Sequence, residues 1–235
     1  MAQELHLDGD PPVAVQLKTS ARARRLSLRV SRLDGRVTMT VPRGIREREV
    51  KAFAQEKADW IRGHLANRPA DEVPLPGTQI LFEGRTHAIL AASGRRVVLG
   101  DGVIHVPESR PELTPVRLEA FMKHVARERL AAASDRHAKT AGRTFGRITL
   151  RDTRSRWGSC STDGNLMYSW RLIMAPPAVL DYVAAHEVAH LVHMDHSDRF
   201  WGLVSELYPD HKAQRRWLRR EGMTLHRYRF RSAHR

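Results

Sequence analysis

The stretch His186-Glu187-Val188-Ala189-His190 constrains this chain more than any other. Residues i and i+4 lie one turn apart on the same helix face, so two imidazoles at this spacing can reach a single ion. Glu187 stands too near the first of them to be a comfortable third ligand, but its carboxylate can hydrogen-bond and deprotonate a metal-bound water. A chain with 13 histidines throws up this pattern by accident in roughly 4% of shuffled versions, so its surroundings must decide.

Two histidines compete to complete the ligand set. Were the helix to run on, His193 would return to the face of His186. It would then stand about 10 Å along the axis at ~1.5 Å per residue, too far for both to bind one ion through bonds of about 2 Å. The third ligand is therefore expected from chain that has turned back. His196 follows Met194-Asp195 and precedes Ser197, a residue suited to cap a new helix, and is favoured. His193 then reads as a surface histidine in the last helical turn. Three imidazoles with an open fourth position suit one Zn2+ ion.

Residues 1–15, acidic and proline-bearing, read as a flexible leader, and 16–107 as a β-rich region with one helix. Alternating segments at 25–30 and 37–41 flank Asp34-Gly35, a hairpin signal. A helix over about 46–65 then lines up Val50, Phe53, Ala54, Ile61 and Leu65. A proline-rich connector at 67–77 leads to strand-like pieces at 79–83, 86–90, 96–99 and 103–106. The metal site belongs to a region expected over 108–222. Thr114-Pro115 opens a long helix there and Gly142 stops it. A strand follows at 147–151, and Asp163-Gly164 turns a hairpin with arms 157–161 and 166–172. Pro176-Pro177 then starts the metal helix. A short helix capped by Ser197 carries Phe200, Leu203, Val204 and Leu207, and a final helix stops at Gly222. Residues 223–235, with Arg227-Tyr228-Arg229-Phe230-Arg231, read as a basic tail that is disordered or pairs at a sheet edge.

The single cysteine, Cys160, rules out an internal disulfide and a Cys-x-x-Cys metal site, as suits a reducing cytoplasm. With no signal-like start and no run of membrane-spanning length, a cytoplasmic protein without membrane contact is expected. The net charge is +14, and from 212 to 235 nine Lys or Arg face the single acid Glu221, a net +8. That balance allows contact with nucleic acid or nucleotide phosphates, and equally a merely solubilising surface. Nothing in the pattern sets an oligomeric state.

Several motifs then occur in order: Ser155-Arg156-Trp157-Gly158-Ser159-Cys160-Ser161, Asp163-Gly164-Asn165, Trp170-Arg171-Leu172-Ile173, Pro177, Asp181-Tyr182-Val183, the His-Glu-Val-Ala-His-Leu run, His196-Ser197 and Phe200-Trp201. Together they resemble the YgjP-like metallopeptidases, zincins related to SprT-like proteases and the minimal gluzincin group. The resemblance spans about 147–222 and, more loosely, 20–90, so that 16–222 would form one unit of that family. It implies an α+β fold with a zincin-like core, in which the metal helix lies under a small antiparallel sheet. It also implies zinc ligands at His186, His190 and His196, Glu187 as general base, and a peptide or protein substrate. In zincins an edge strand above the metal helix can pair with an extended substrate backbone, a place the 157–161 arm would fill. Arg156, Trp157, Ser159, Tyr168 and Arg171 are the candidate substrate-binding residues. Arg156, Tyr168, Arg171 and His193 are candidate oxyanion donors, and Cys160 reads as a small buried hydrophobe. Two alternatives keep the metal. One is a nucleotide phosphohydrolase that uses the arginines, although no Gly-rich phosphate cradle is present. The other is a DNA-associated SprT-like protease, which the basic tail motivates.

Overall fold

In the computed structural model, which describes residues 3–31, 35–66 and 71–231, the chain divides into two compact units, Met1–Ala70 and Asp71–Arg235. In the first, Val13 and Val15 are buried while Ala14 between them is exposed, the period-2 signature of a strand with one wet face. They belong to β2 (Val13–Ser20), which pairs antiparallel with β1 (Gln3–Leu7) and parallel with β4 (Val37–Pro42). β3 (Ser27–Val30) adds antiparallel to β4, giving the order β1-β2-β4-β3. The expected hairpin across 25–41 forms, and Asp34 of its turn lies outside the described residues. Leu7, Val13, Val15, Val37 and Met39 cluster with Val50, Ala54, Ala58 and Ile61 of helices α1 (Glu47–Glu56) and α2 (Ala58–Ala66).

Two expectations are corrected here. Residues 3–7 and 13–15 are strand rather than loose leader, because Leu7, Val13 and Val15 complete the apolar face, with Pro11-Pro12 in the link between the two strands. The single helix over 46–65 is two helices, broken at Lys57, whose φ of -92° and ψ of 3° leave the helical region. Of the expected connector, 67–70 lies outside the described residues.

The second unit opens with β5 (Gln79–Phe82), β6 (Arg85–Ala92), β7 (Val98–Gly100) and β8 (Val103–Pro107), in the order β5-β6-β8-β7. Helix α3 (Thr114–Thr140) buries Leu118, Met122, Ala126, Leu130 and Ala133 along one stripe, the i, i+3/i+4 pattern of a core helix. It ends where Gly142 adopts φ +63°, a left-handed turn that glycine makes without steric cost. A second small sheet, order β10-β11-β9, comprises β9 (Ile148–Arg151), β10 (Gly158–Cys160) and β11 (Leu166–Ser169). The β10/β11 hairpin is antiparallel as expected, while β9 joins it parallel, so the sheet is mixed. A 3-10 turn (Trp170–Met174) leads into α4 (Pro177–Ala189), followed by α5 (Asp198–Leu207), α6 (His211–Glu221) and a 3-10 turn (Gly222–His226). The whole is α+β.

The boundary expected at 107/108 falls instead between 70 and 71. Ile80, Phe82, Ile89, Ile104 and Val106 share one core with Val179, Val183 and Val188 of α4, so the 79–107 sheet belongs to the unit that carries the metal helix. Nor do residues 223–231 form a free tail. Leu225, Tyr228 and Phe230 enter the same core, Tyr228 bridges to Glu72, and Phe230 meets Trp170 edge-on at 5.2 Å. The apolar members of the basic run go inward while its arginines reach solvent or acids. Residues 232–235 lie outside the described residues. No described helix is long and apolar enough to cross a membrane.

Candidate metal centre

Helix α4 is apolar on nearly every face, with Val179, Leu180, Tyr182, Val183, Ala184, Ala185, Val188 and Ala189 all buried, as befits a helix that runs through a core. Pro177 starts it, and Pro176 ahead of it rests on the β5/β6 turn. A Cβ on Gly84 there would sit 2.8 Å from Pro176 Cα, and Gly84 itself has φ +78°. Glu83 N and Gly84 N donate to Ile173 O and Met174 O at 2.7 and 3.2 Å. This turn fixes where the metal helix begins.

The helix ends at His190, beyond which the chain tightens: Leu191 N donates to Val188 O at 2.9 Å and His193 N to Ala189 O at 3.0 Å. It then turns back. Asp195 accepts bonds from Ser197 N and Oγ at 3.3 and 2.7 Å, so Ser197 stands at the head of α5 with its hydroxyl engaged on Asp195 rather than on the helix. This turn brings His196 beside α4. One ring nitrogen from each of His186, His190 and His196 lies within 4.8 Å of the others, whereas His193 is outside the group. Its carbonyl instead accepts from His190 Nδ1 at 2.9 Å, which puts the proton on Nδ1 and leaves Nε2 a bare lone pair.

Phe200 holds the rings together. It stacks on His190 at 4.4 Å and meets His186 and His196 at 4.9 and 4.8 Å. Burial, then the neighbouring His190 and His196, pulls the His186 pKa down to about 3, so its ring is neutral and its lone pair available. His186 Nδ1 is buried without a hydrogen-bond partner, and His186 Nε2 stands 3.3 Å from His196 Nε2. Two lone pairs at that separation repel unless a proton or cation lies between them. Tetrahedral zinc with Zn–N bonds of ~2.0–2.1 Å requires N···N edges of about 3.3 Å. The His186–His196 edge has that length, and the three nitrogens together could hold a metal ion.

Glu187 is buried, and that burial raises its pKa to about 8, with Arg156 opposing. Strand β10 crosses directly over it: a Cβ on Gly158 would lie 2.4 Å from Glu187 Oε1 and 2.6 Å from Cγ. Glycine is required here for space rather than for its backbone angles. β10 is an edge strand, its outer side pairing with no other strand among the described residues. Cys160 shares the Gly158 face by strand alternation, and its thiol pKa is pushed up to about 11 by burial and then by Glu187. It is half-buried against the core, an inert thiol rather than a nucleophile.

The five substrate-binding candidates part company. Arg156 is exposed and acts on Glu187. Trp157 packs on Gly222, where a Cβ would lie 2.8 Å from its ring, and on the His226 ring at 5.4 Å, so it ties the entry of β10 to the following 3-10 turn. Ser159 points to the opposite face from Gly158. Tyr168 is fully buried, its hydroxyl 2.9 Å from Ser134 Oγ, and burial drives its pKa up. Arg171 is buried too, bonded to Asp152 at 2.6 and 3.1 Å and to the carbonyls of Leu225 and Tyr228 at 2.9 and 3.2 Å. The last two hold the fold and are withdrawn as substrate or oxyanion contacts. Sequence reasoning missed the proximity of Phe200 and Trp201 to the triad, the role of Gly158, and the α6 face His211-Arg215-Arg219. The i, i+4, i+8 spacing was the available signal for that face.

Among curated proteins none matches the chain. Among solved structures, the chain is similar to the crystal structure of the metallopeptidase zymogen of Pyrococcus abyssi abylysin, at 18% identity over 39% of this chain and 95% of that one, with a TM-score of 0.35. Residues 24–221 match the family model described as the YgjP-like metallopeptidase domain. With most of its length so matched, the chain belongs to the YgjP-like metallopeptidase family.

Proposed function

We propose that this metallopeptidase is a zinc-dependent hydrolase of peptide bonds, in which His186, His190 and His196 hold one ion and Glu187 is the general base. The carrying observation is the approach of three imidazoles within 4.8 Å of one another beside a buried carboxylate. Zinc in such a set supplies Lewis acidity, which acidifies water and polarises a carbonyl. Glu187 accepts the proton and passes it to the leaving amine. Burial raises its pKa and a cation in the triad would lower it, and the balance keeps it able to do both. The outer edge of β10 supports the reading that an extended peptide lies alongside it, above Glu187.

Elemental analysis of purified protein should give about one zinc per chain. His196→Ala should lose it and His193→Ala should keep it, since His193 meets His190 through its backbone carbonyl and not through its ring. Glu187→Gln should keep zinc while peptide cleavage falls by about 10²–10⁴-fold. Zinc lost from His193→Ala but kept by His196→Ala would overturn the ligand assignment, and full activity of Glu187→Gln would remove the base.

A further inference from the structure

We propose that Arg215, seconded by Arg156, makes this peptidase select substrates with a carboxylate close to the scissile bond, an inference that rests on the peptidase reading above. His211, Arg215 and Arg219 recur at i, i+4 and i+8 and so share one face of α6. His211 is buried and stacks on Trp201 at 5.8 Å and 26°. The Arg215 guanidinium lies 4.6 Å from the centroid of that same Trp201 ring, a cation–π contact that holds the side chain in place. Trp201 in turn stands 5.7 Å from His186 and 5.9 Å from His196. One aromatic ring therefore links the Arg215 charge to two of the three triad histidines. Arg156 comes from another element, the segment entering β10, two residues before the Gly158 that lies over Glu187.

The two guanidiniums share a further property. Several arginines of this unit have found acids: Arg129 meets Glu83, Arg136 meets Asp181, Arg171 meets Asp152 and Arg231 meets Glu119. Among the described residues the ion pairs include none to Arg156 or Arg215, and Trp201 holds Arg215 beside the triad. A guanidinium fixed on a ring keeps its planar fork of N–H donors open, and that fork matches a carboxylate. Cations beside the triad attract acidic peptides and repel basic ones. The carboxylate can come from an Asp or Glu side chain or from the free end of a peptide.

The test uses the full-length zinc-loaded protein and matched peptides with Glu, Gln or Lys on either side of the cleaved bond, each made as C-terminal acid and amide. The expected order is Glu over Gln over Lys, with Glu preferred to Gln by about tenfold in kcat/KM through KM, and falling as salt rises. Arg215→Ala should collapse the Glu/Gln ratio towards one, and Arg215→Glu should bring Lys above Gln. These ratios are independent of any general loss of activity. Arg156→Ala, at an exposed side chain, carries the same test should the Arg215 variants fail to fold. A preference lost on amidation assigns the carboxylate to the peptide end, and one that survives assigns it to a side chain. A wild-type ratio near one, or a ratio unchanged in both alanine variants, overturns the proposal while leaving the peptidase intact. Cleavage of no peptide at all, with nucleoside triphosphates hydrolysed instead, overturns the peptidase reading and this inference with it.

Discussion

At Gly158 the absence of a single carbon lets a strand pass within contact distance of the Glu187 carboxylate. Gly158→Ala should displace that carboxylate by about an ångström and lower peptide cleavage roughly 10²-fold, the usual cost of misplacing a reacting group by that much, while zinc content stays unchanged. Activity within twofold of wild type would show that the carboxylate tolerates displacement. The approach of His186 to His190 was legible because their spacing is local helix geometry, and that of His196 because it follows the point where the chain must turn back. Gly158 was not legible as part of the site, since only three-dimensional packing reveals that a glycine is needed for room. Tyr168 and Arg171 misled for a related reason. They stand close in sequence to the motif, but the pleat turns Tyr168 inward, and the 3-10 turn aims Arg171 at Asp152.

Among elements, the metal helix owes its position to parts of the chain remote in sequence: the Gly84 turn at its start and the C-terminal segment that completes its core. Phe230 is 4% exposed and packs on Trp170, so Phe230→Ala should cost about 3–5 kcal/mol. Urea titration of the zinc-loaded protein would read this as a lower midpoint at unchanged slope, and a shift worth under 1 kcal/mol would return 223–231 to the status of a tail. Periodicity and punctuation exposed α3, the β10/β11 hairpin and the proline start of α4. They failed at both ends of the chain, where Pro11-Pro12 and a run of arginines masked the apolar residues that fill the two cores.

On the scale of the molecule, acid should be destabilising in two stages. Burial, and then the charge of Arg171, pulls the His226 pKa down to about 4, against ~6.5 in an unfolded chain. Between those values the unfolded state binds the extra proton, so stability is intact above about pH 6.5 and is lost as pH falls towards the folded value. The loss by pH 5 is about 2 kcal/mol. A second stage follows at lower pH. Burial would raise the Asp152 pKa, but its bonds from Arg171 hold it below the ordinary value, and the bond from His137 does the same for Asp181. Carboxylates depressed in this way stabilise the fold above their unfolded pKa and cease to do so as pH drops through the folded one. Chemical denaturation at pH 7 and pH 5 should show the first stage in the wild type and a shallower change in His226→Gln; equal slopes would exclude His226 as its source. The division at 70/71 escaped the sequence because both sheets read alike as short alternating strands, and only the packing of Ile80, Ile89 and Ile104 with α4 tells which core each serves.

The burial of Phe230 also sets an order of events during synthesis. A ribosome makes the two helical histidines of the triad and Glu187 some forty residues before the aromatic side chains that seal the same core, and domains fold as units. The nascent chain therefore carries a complete catalytic sequence well before it has a complete catalytic fold, and competence waits on the residues made last in that core.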